Sequence, residues 1–251
     1  MASSSTALIG VIPARLGSTR FPGKPLASIG GQPMIARVVK RALNADVFDR
    51  VLVATDDERI RDAAAAAGAD VRMTHPDIPN GTLRSYDALM QWEADAGSEA
   101  GYIVNIQGDE PFVHPEQLQK LAQLIRKPGV SIATLARPKP AGDAERSNPN
   151  RVKVTCDLNG LALYFSRAPI PSSEGPWLEH VGLYAFTRGA MEAITLLHAT
   201  ELEKRERLEQ LRWLEHGWRI SVGRTSHASY SIDTPEDLIQ IEKRIERGEL
   251  H

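Results

Sequence analysis

The chain has 251 residues with 30 basic and 32 acidic side chains, and its formal net charge at pH 7 is −2. This length suits one large α/β domain or a core with a small appendage, and we treat residues 1–251 as a single domain. The balanced charge, without a basic tract, argues against a nucleic-acid partner. Cys156 is the single cysteine, which excludes an intrachain disulfide and favours a reducing compartment. Residues 1–6 lack a secretory signal pattern and no apolar run approaches the roughly 18 residues of a membrane span, so we expect a cytoplasmic protein with no membrane partner.

Strand and helix patterns alternate through the first half of the chain. Short apolar runs predict strands, and the amphipathic segments between them predict helices. The predicted strands cover residues 8–12, 51–54, 71–73 and 102–106. The predicted helices cover residues 33–42, a segment from Asp56 or Asp57 to Gly68, residues 83–94 and residues 115–125. This order predicts an α/β fold with a doubly wound, mainly parallel sheet.

The second half is richer in predicted strands. These cover residues 130–136, 152–155, 161–165, 181–186 and 219–222, with a loop at 137–150 and a hairpin turn at 157–160. Helices are predicted over residues 189–197 and 201–216. After a strand-like segment at residues 230–232, Asp233 or Thr234 caps a last helix with Pro235 in its first turn.

A basic, glycine-containing loop follows the first strand. Residues 11–26 contain two arginines, one lysine and two glycines, namely Arg15, Arg20, Lys24, Gly17 and Gly23. Glycines let a backbone approach a ligand, and cations over such a loop hold anionic oxygens. A Walker A loop is excluded, because five residues separate the glycines and Pro25 follows Lys24. The pattern predicts a triphosphate cradle held by Lys24 and Arg15, with an ordinary charged surface loop as the alternative.

Two aspartates are candidate ligands for Mg²⁺. Asp109 comes just after a predicted buried strand, where side chains point into the ligand crevice of an open sheet. Asp233 precedes the last helix. The alternatives are a turn aspartate bonded to its own loop for Asp109 and a simple helix cap for Asp233. Carboxylates, phosphate oxygens and water are the ligands that Mg²⁺ prefers, so the catalytic set Lys24, Asp109 and Asp233 predicts nucleotidyl transfer.

Seven segments in order carry a family resemblance across almost the whole chain. They are Ile12-Pro13-Ala14-Arg15 through Phe21-Pro22-Gly23-Lys24-Pro25-Leu26, Val53-Ala54-Thr55-Asp56, Asn105-Ile106-Gln107-Gly108-Asp109-Glu110-Pro111, Ala162-Leu163-Tyr164-Phe165-Ser166-Arg167, His180-Val181-Gly182-Leu183-Tyr184, Leu208-Glu209-Gln210-Leu211-Arg212 and Asp233-Thr234-Pro235-Glu236-Asp237. The chain resembles the 3-deoxy-manno-octulosonate (Kdo) cytidylyltransferases, or CMP-Kdo synthetases.

The resemblance implies a reaction and a Rossmann-like nucleotidyltransferase sheet with a smaller β-rich region at residues 151–188 for sugar binding and dimerisation. CTP and Kdo would give CMP-Kdo and pyrophosphate for lipopolysaccharide biosynthesis, with Mg²⁺ held by Asp109 and Asp233. A homodimer is expected through residues 167–188. The implied nucleotide-binding residues are Pro13, Ala14, Arg15, Lys24, Thr82, Arg84 and Gln107. The implied sugar-binding residues are Gln107, Arg167, His180, Tyr184, Glu209 and Gln210.

Some of these assignments have open alternatives. His180 and Tyr184 also fit a strand pair packed at a subunit interface, and Glu209 also fits a solvated helix face. Leu83 stands where the family pattern has an acidic residue, and residues 171–180 form a shorter segment than in longer members. A related acidic sugar, such as 8-amino-Kdo or a sialic-acid-like sugar, is therefore an alternative acceptor. A non-catalytic nucleotide-binding regulator is the alternative from another functional class.

Overall fold

The computed structural model describes residues 6–17 and 21–250. Arg20, which the sequence interpretation counts among the cations of the basic loop, lies outside the described residues together with Ser18 and Thr19. The chain divides into two compact units: the first unit is Met1–Gln119 with Ser229–His251, and the second unit is Lys120–Ala228. Residues 151–188 therefore lie inside the second unit. Within the described residues, none of the helices has the length and apolar character needed to cross a bilayer.

The first unit contains the alternating strands and helices predicted for the first half of the chain. In chain order its elements are β1 (Leu8–Ala14), a 3₁₀ turn (Lys24–Leu26), β2 (Ser28–Ile29), β3 (Gln32–Pro33), α1 (Met34–Leu43), β4 (Arg50–Thr55), α2 (Glu58–Ala66), β5 (Asp70–Met73), α3 (Gly81–Ala96), β6 (Tyr102–Asn105) and α4 (Pro115–Ile125), which continues along the chain into the second unit. Asp57 is the residue that caps α2, its carboxylate accepting from the Arg59 N–H at 2.9 Å.

The four long strands of the first unit form a parallel sheet in the order β6-β1-β4-β5. Leu8 lies opposite Tyr102 on one side of β1, and Ile9 lies opposite Arg50 on the other side. Most residues of β1, β4 and β6 are apolar and buried, as expected for strands covered by helices, whereas those of β5 keep partial exposure. The predicted parallel α/β arrangement is confirmed here. Its consequence is that all four carboxyl ends meet at one edge of the sheet, where such folds bind ligands.

The second unit is built on a mixed sheet. Its elements are β7 (Ile132–Lys139), a 3₁₀ turn (Ala144–Ser147), β8 (Lys153–Cys156), β9 (Ala162–Ser166), β10 (Trp177–Thr187), α5 (Arg188–Thr195), α6 (Glu201–Glu206), α7 (Gln210–Glu215) and β11 (Ile220–Arg224). Strand β7 runs parallel to β11 and antiparallel to β10, and β10 continues through β8 to β9 in antiparallel pairs. The predicted β8–β9 hairpin is confirmed. The chain then returns to the first unit and ends with α8 (Pro235–Glu246).

The prediction of a single helix over residues 201–216 is wrong, because the structure has the two helices α6 and α7 there. Arg207 between them adopts a left-handed backbone with φ of +55°. The cause is tertiary: the Glu206 carbonyl accepts from Arg167 Nε at 2.8 Å, and the Glu206 carboxylate accepts from the Arg167 N–H at 2.8 Å and from Ser166 Oγ at 2.7 Å. These bonds take the carbonyl that would continue the helix, and the chain turns at that point.

Two further segments differ from prediction. The loop expected over residues 137–150 begins later, because β7 extends to Lys139 by pairing with the early residues of β10, where Trp177 lies opposite Lys139. Residues 230–232 do not form a strand. They run beside Phe112 and Arg244, with the Tyr230 ring in edge contact with Phe112 and under the Arg244 guanidinium. Side-chain packing therefore positions this segment in place of strand pairing.

Candidate functional site

A cavity of about 280 Å³ opens in the first unit at the carboxyl ends of β1 and β6. It is close to the lower end of the size range of small-molecule sites. The lining residues come from the basic loop, the start of α3, the turn after β6 and the residue before the Thr234 cap of α8: Pro13, Ala14, Arg15, Gly17, Lys24, Pro25, Asn80, Gly81, Arg84, Gln107, Gly108, Asp109 and Asp233. The structure thus brings together the three predicted catalytic residues and every predicted nucleotide-binding residue except Thr82, which is buried and does not line the cavity.

Lys24 joins the two candidate metal ligands. Its Nζ lies 2.7 Å from Asp109 Oδ2 and 3.3 Å from Asp233 Oδ1. The side chains of Lys24, Asp109 and Asp233 keep 15%, 28% and 38% of their exposure, so this group faces the open cavity and is not sealed in the core. Gly23, directly before the 3₁₀ turn, has φ of +70°, a conformation that favours glycine. This turn sets the direction in which Lys24 enters the cavity.

Asp109 and Asp233 approach each other through the backbone. The Ile232 N–H donates to the Asp109 carbonyl at 3.0 Å, which fixes the segment before α8 against the turn after β6. Thr234 is the cap of α8, and the Asp237 carboxylate accepts from the N–H groups of both Asp233 and Thr234 at 2.9 Å. Asp233 is therefore not the helix cap, and its carboxylate is directed to Lys24.

The Asp109 carboxylate likewise has a partner outside its own turn. It contacts the Lys24 ammonium, and among the described residues it accepts no hydrogen bond from the loop in which it lies. The alternative of a turn aspartate bonded to its own loop is not what this geometry shows. Both carboxylates direct oxygen atoms to the same ammonium group of Lys24. Carboxylate oxygen is the donor type that Mg²⁺ prefers.

Two glycines pack around Pro13 at the end of β1. A Cβ on Gly108 would lie 2.7 Å from the Pro13 carbonyl oxygen, a distance that real Cβ atoms essentially never show. A Cβ on Gly81 would lie 3.3 Å from Pro13 Cγ, which is tight but not prohibitive. Gly108 is thus required by close backbone approach, and the approach fixes the turn that carries Gln107 and Asp109. Asn80 caps the neighbouring helix α3, its Oδ1 accepting from the Leu83 N–H at 2.8 Å.

Arg84 is almost fully buried, with 2% exposure, although it borders the cavity. Its guanidinium pairs with Asp56 at 3.3 Å and donates to the Thr74 hydroxyl. Burial lowers the pKa of Arg84, and the Asp56 carboxylate opposes that effect while the nearby Arg15 adds to it. Asp56 also accepts from the Leu16 N–H at 3.2 Å. Asp56 therefore ties the basic loop to α3.

In the second unit, His180 and Tyr184 lie on β10 with ring centroids 5.4 Å apart. His180 is partly buried, and burial lowers its pKa to about 3, so the ring is neutral at ordinary pH. The Tyr184 hydroxyl is buried and has no hydrogen-bond partner within the part of the chain that the structure describes. Burial and the Glu209 carboxylate raise the pKa of Tyr184 well above its usual value, and the nearby Thr134 hydroxyl opposes that rise. Glu209 therefore lies near this ring. Gln210, the next residue, is buried at 5% exposure.

Arg167 is engaged with backbone groups in this structure. Its three guanidinium nitrogens donate to the carbonyls of Glu206 at 2.8 Å, Pro149 at 3.0 Å and Arg207 at 3.4 Å. Its side chain is half-buried. The guanidinium has five N–H donors, so the terminal nitrogens retain N–H groups beyond these three bonds. The role in binding a sugar carboxylate, implied by the resemblance, stays a prediction.

Sequence reasoning gave no role to several residues that shape the cavity. Gly108 and Gly81 were visible as glycines beside predicted turns, but the partner that forbids a side chain, Pro13, lies far away in the sequence. Asn80 fits the preference for asparagine at helix starts. Asp56 was quoted as part of a motif, yet its bonds to Leu16 and Arg84 depend on tertiary contacts that no local pattern reveals.

Comparison with known proteins adds independent findings. A family model described as cytidylyltransferase matches residues 9–220. The 3-deoxy-manno-octulosonate cytidylyltransferase of Parabacteroides distasonis is 46% identical over 243 residues, covering 92% of this chain and 94% of that protein. The protein of the same name from Porphyromonas gingivalis is 42% identical over 246 residues, covering 93% of this chain and 94% of that protein.

Solved structures are similar over nearly the whole chain. A CMP:2-keto-3-deoxy-manno-octonic acid synthetase complexed with CTP has a TM-score of 0.85 and 37% identity, covering 97% of this chain and all of that one. A 4-diphosphocytidyl-2C-methyl-D-erythritol synthase from Anaerococcus prevotii has a TM-score of 0.65 at 14% identity, covering 96% of this chain and 99% of that one. At that identity the second likeness concerns the fold alone.

Proposed function

Because this chain belongs to the cytidylyltransferase family, we propose that it activates Kdo with CTP, releasing pyrophosphate and forming CMP-Kdo for lipopolysaccharide biosynthesis. The observation that carries the chemistry is the Lys24 ammonium held between Asp109 and Asp233 in a cavity at the end of β1. Charged groups of both signs at one open site are what phosphoryl chemistry requires, since it depends on positioning and charge neutralisation more than on a covalent intermediate.

The proposed reaction is an in-line displacement at the α-phosphorus of CTP. The oxygen of the Kdo C2 hydroxyl forms a bond to that phosphorus while the bond to the oxygen bridging to the β-phosphate breaks. Pyrophosphate leaves with the electron pair of the broken bond, and the hydroxyl proton passes to solvent. No nucleophilic side chain takes part, and the described cavity lining contains no serine or cysteine.

The triphosphate would be held by Lys24, Arg15 and the start of α3. Lys24 and Arg15 supply positive charge, and backbone N–H groups at a helix start are oriented towards anions. The start of α3, with its cap Asn80 and first residue Gly81, opens into the same cavity. Arg84 is paired with Asp56 and buried, so its main contribution is to hold the wall of the cavity. The backbone of Pro13 and Ala14 lies beside Gly81 and Gly108 and would contact the cytosine ring of CTP.

Asp109 and Asp233 are the residues proposed to hold Mg²⁺. Their fit rests on the donor chemistry, because two carboxylates already share one cation and keep enough exposure for phosphate oxygens and water to complete a coordination shell. When bound, the metal supplies neutralisation of phosphate charge. The chain's own contribution is positional, since the Ile232 N–H to Asp109 carbonyl bond and the Thr234 cap keep both carboxylates at one place.

The acidic sugar is proposed to contact polar groups of the second unit. The buried Tyr184 hydroxyl lacks a partner among the described residues, and a polyhydroxylated ligand offers the donors and acceptors that such a group needs. Glu209 acts on Tyr184 electrostatically, and Gln210 is the residue that follows it in the chain. Both offer further polar groups. Arg167 remains the candidate for the sugar carboxylate through its remaining N–H groups.

The test is a sugar panel. The protein is incubated with CTP, Mg²⁺ and one sugar at a time, namely Kdo, 8-amino-Kdo or a sialic acid, and pyrophosphate release is measured. We expect release with Kdo and none without a sugar. Release with an analogue but not with Kdo would reassign the acceptor. Binding of CTP with no release from any sugar would favour the non-catalytic regulator.

Two properties of the assembly and its location belong to the same proposal. We propose a homodimer, tested by light scattering coupled to size exclusion, where a mass twice that of the 27.5 kDa chain is expected. A mass equal to one chain at assay concentration would contradict it. We also propose that the protein works in the cytoplasm, in keeping with its single cysteine.

A further inference from the structure

Thr134 lies where the pairing of β7 with β10 is irregular. Val181 is opposite Leu135, but the next pair joins Tyr184 to Thr134, so the register shifts by two residues of β10 at a bulge. Thr134 is fully buried at this bulge. Bulges re-aim side chains and recur beside functional sites. This one lies between His180 and Tyr184, the two β10 residues implicated in sugar binding.

The Thr134 hydroxyl lies near the Tyr184 hydroxyl and contacts three further polar atoms of β10. Its Oγ1 lies 2.8 Å from the Leu183 carbonyl oxygen, 3.2 Å from the Val181 carbonyl oxygen and 3.0 Å from His180 Nε2. A hydroxyl has one hydrogen to donate, and carbonyl oxygens can only accept. The Leu183 carbonyl makes the shortest of the three contacts, so we assign the hydroxyl hydrogen to it. With that assignment the contact with His180 is donated by the ring, which carries its proton on Nε2.

This assignment leaves Nδ1 of His180 as a bare acceptor. In the neutral ring one nitrogen is a donor and the other an acceptor, and burial keeps the ring neutral. Nδ1 makes no hydrogen bond to any residue that the structure describes. The ring is also held in place by edge contact with Phe165 at a centroid distance of 4.9 Å and by Tyr184. These contacts hold the ring orientation, and the tautomer follows from the donor assignment at Thr134.

We propose that Thr134 is a positioning residue that locks His180 in the Nε2–H tautomer and so presents Nδ1 to accept a hydrogen bond from a hydroxyl of the acidic sugar. The proposal rests on the proposed function for the identity of the ligand. The chemical class is an aliphatic sugar hydroxyl, because only a donor pairs with Nδ1 in this state. Thr134 itself does not touch the ligand, and it acts through His180 and the bulge carbonyls.

Thr134→Val and Thr134→Ser separate this role from packing. Valine keeps the branched shape but removes the hydroxyl, whereas serine keeps the hydroxyl and loses a methyl group. For Thr134→Val we expect the KM for Kdo to rise about 10-fold, as for loss of a hydrogen bond worth 1.4 kcal/mol, while the KM for CTP stays within about twofold. Thr134→Ser is expected to keep both KM values near those of the unaltered protein.

The tautomer is measured directly by ¹⁵N NMR on protein labelled at its seven histidines, with His180→Gln used to assign the signal. We expect a neutral Nε2–H pattern for His180 in the unaltered protein and in Thr134→Ser. An Nδ1–H pattern in the unaltered protein would overturn the proposal, and so would a Thr134→Val protein whose KM values for Kdo and CTP are both unchanged or rise together. If Thr134→Val fails to fold, the tautomer and Thr134→Ser decide.

The NMR result does not depend on activity. Failure of the unaltered protein to release pyrophosphate with any sugar would refute the proposed function, whereas the tautomer would still report whether Thr134 sets the ring.

Discussion

Substitution of Gly108 by alanine tests whether the turn after β6 must touch the end of β1. The added Cβ would lie 2.7 Å from the Pro13 carbonyl oxygen, whereas ordinary contact begins at 3.4 Å. The obstructing atom is backbone, so no side chain can rotate away. Gly108 does not have a positive φ, which means that the effect is steric and does not come from backbone strain. Either the turn or the end of β1 has to move by several tenths of an ångström.

The size of the effect follows from this overlap. Overpacking of a closely fitted interior costs about 1–3 kcal/mol, and for a chain of this length each kcal/mol lowers Tm by roughly 2–4 °C. The turn carries Gln107 and Asp109, so the same movement shifts the carboxylate that Lys24 contacts. A misplacement of this order reduces turnover by about 10- to 100-fold, because transfer depends on alignment. We expect Gly108→Ala to be folded, less stable and much less active.

Two matched variants make the comparison sharp. Gly81→Ala places its Cβ 3.3 Å from Pro13 Cγ, a side-chain atom that can yield slightly, and Gly189→Ala in α5 meets nothing within 4 Å. The expected order of loss in Tm and in kcat/KM for CTP is Gly108→Ala, then Gly81→Ala, then Gly189→Ala. Thermal unfolding and pyrophosphate release give both quantities. A Gly108→Ala protein as stable and active as Gly189→Ala would refute the argument.

Three further outcomes are expected. Asp109→Asn should lower kcat about 100-fold or more in the pyrophosphate assay with its circular dichroism unchanged, since it removes a proposed metal ligand; activity within threefold would contradict that role. Lys24→Met should weaken CTP binding about 10- to 100-fold by calorimetry, as for loss of a charge-assisted hydrogen bond worth roughly 1.5–3 kcal/mol, and unchanged affinity would remove Lys24 from the cradle. The pKa of His180 is about 3 in the folded chain and about 6.5 when unfolded. The unfolded chain therefore binds the extra proton between these values, and stability should fall as the pH drops from 6.5 towards 3. His180→Gln should show a smaller fall in denaturant midpoint over that range, and an identical fall would contradict the depressed pKa.

Residue patterns in the sequence were sufficient to predict most strands and helices of the first unit. The strands and helices of the first unit follow apolar periodicity and capping residues, and Asp57 and Thr234 cap helices as their residue types favour. The place of Asp109 after a buried strand also followed from the sequence, because parallel strands direct their carboxyl ends to one edge. Its partner Asp233 was a weaker inference, since a helix cap explained it equally well until Thr234 was seen to be the cap.

Two features of the second unit depend on hydrogen bonds between distant parts of the chain and could not be predicted from the sequence pattern. The break between α6 and α7 depends on Arg167, which takes the Glu206 carbonyl from a distant part of the chain. The charged, helix-favouring composition of residues 201–216 carries no trace of that bond. The bulge at Thr134 is equally hard to predict, because nothing in the local sequence of β7 or β10 shows that their pairing shifts by two residues. In both cases a side chain far along the sequence satisfies a backbone group.

The charges that line the cavity explain why its basic and acidic side chains would be needed together for binding a triphosphate. Asp109 and Asp233 alone would repel a triphosphate, and Lys24 carries one charge against their two. Arg84 adds little free charge, because Asp56 neutralises it. Arg15 supplies a further cation, yet the phosphates and both carboxylates still exceed the positive charge of the described lining. A divalent cation would reduce that excess, and a transferring phosphate could then approach Lys24 with less repulsion from the two aspartates. If the proposed metal site is correct, nucleotide and metal binding would each strengthen the other, because each ligand offsets the charge that opposes the other.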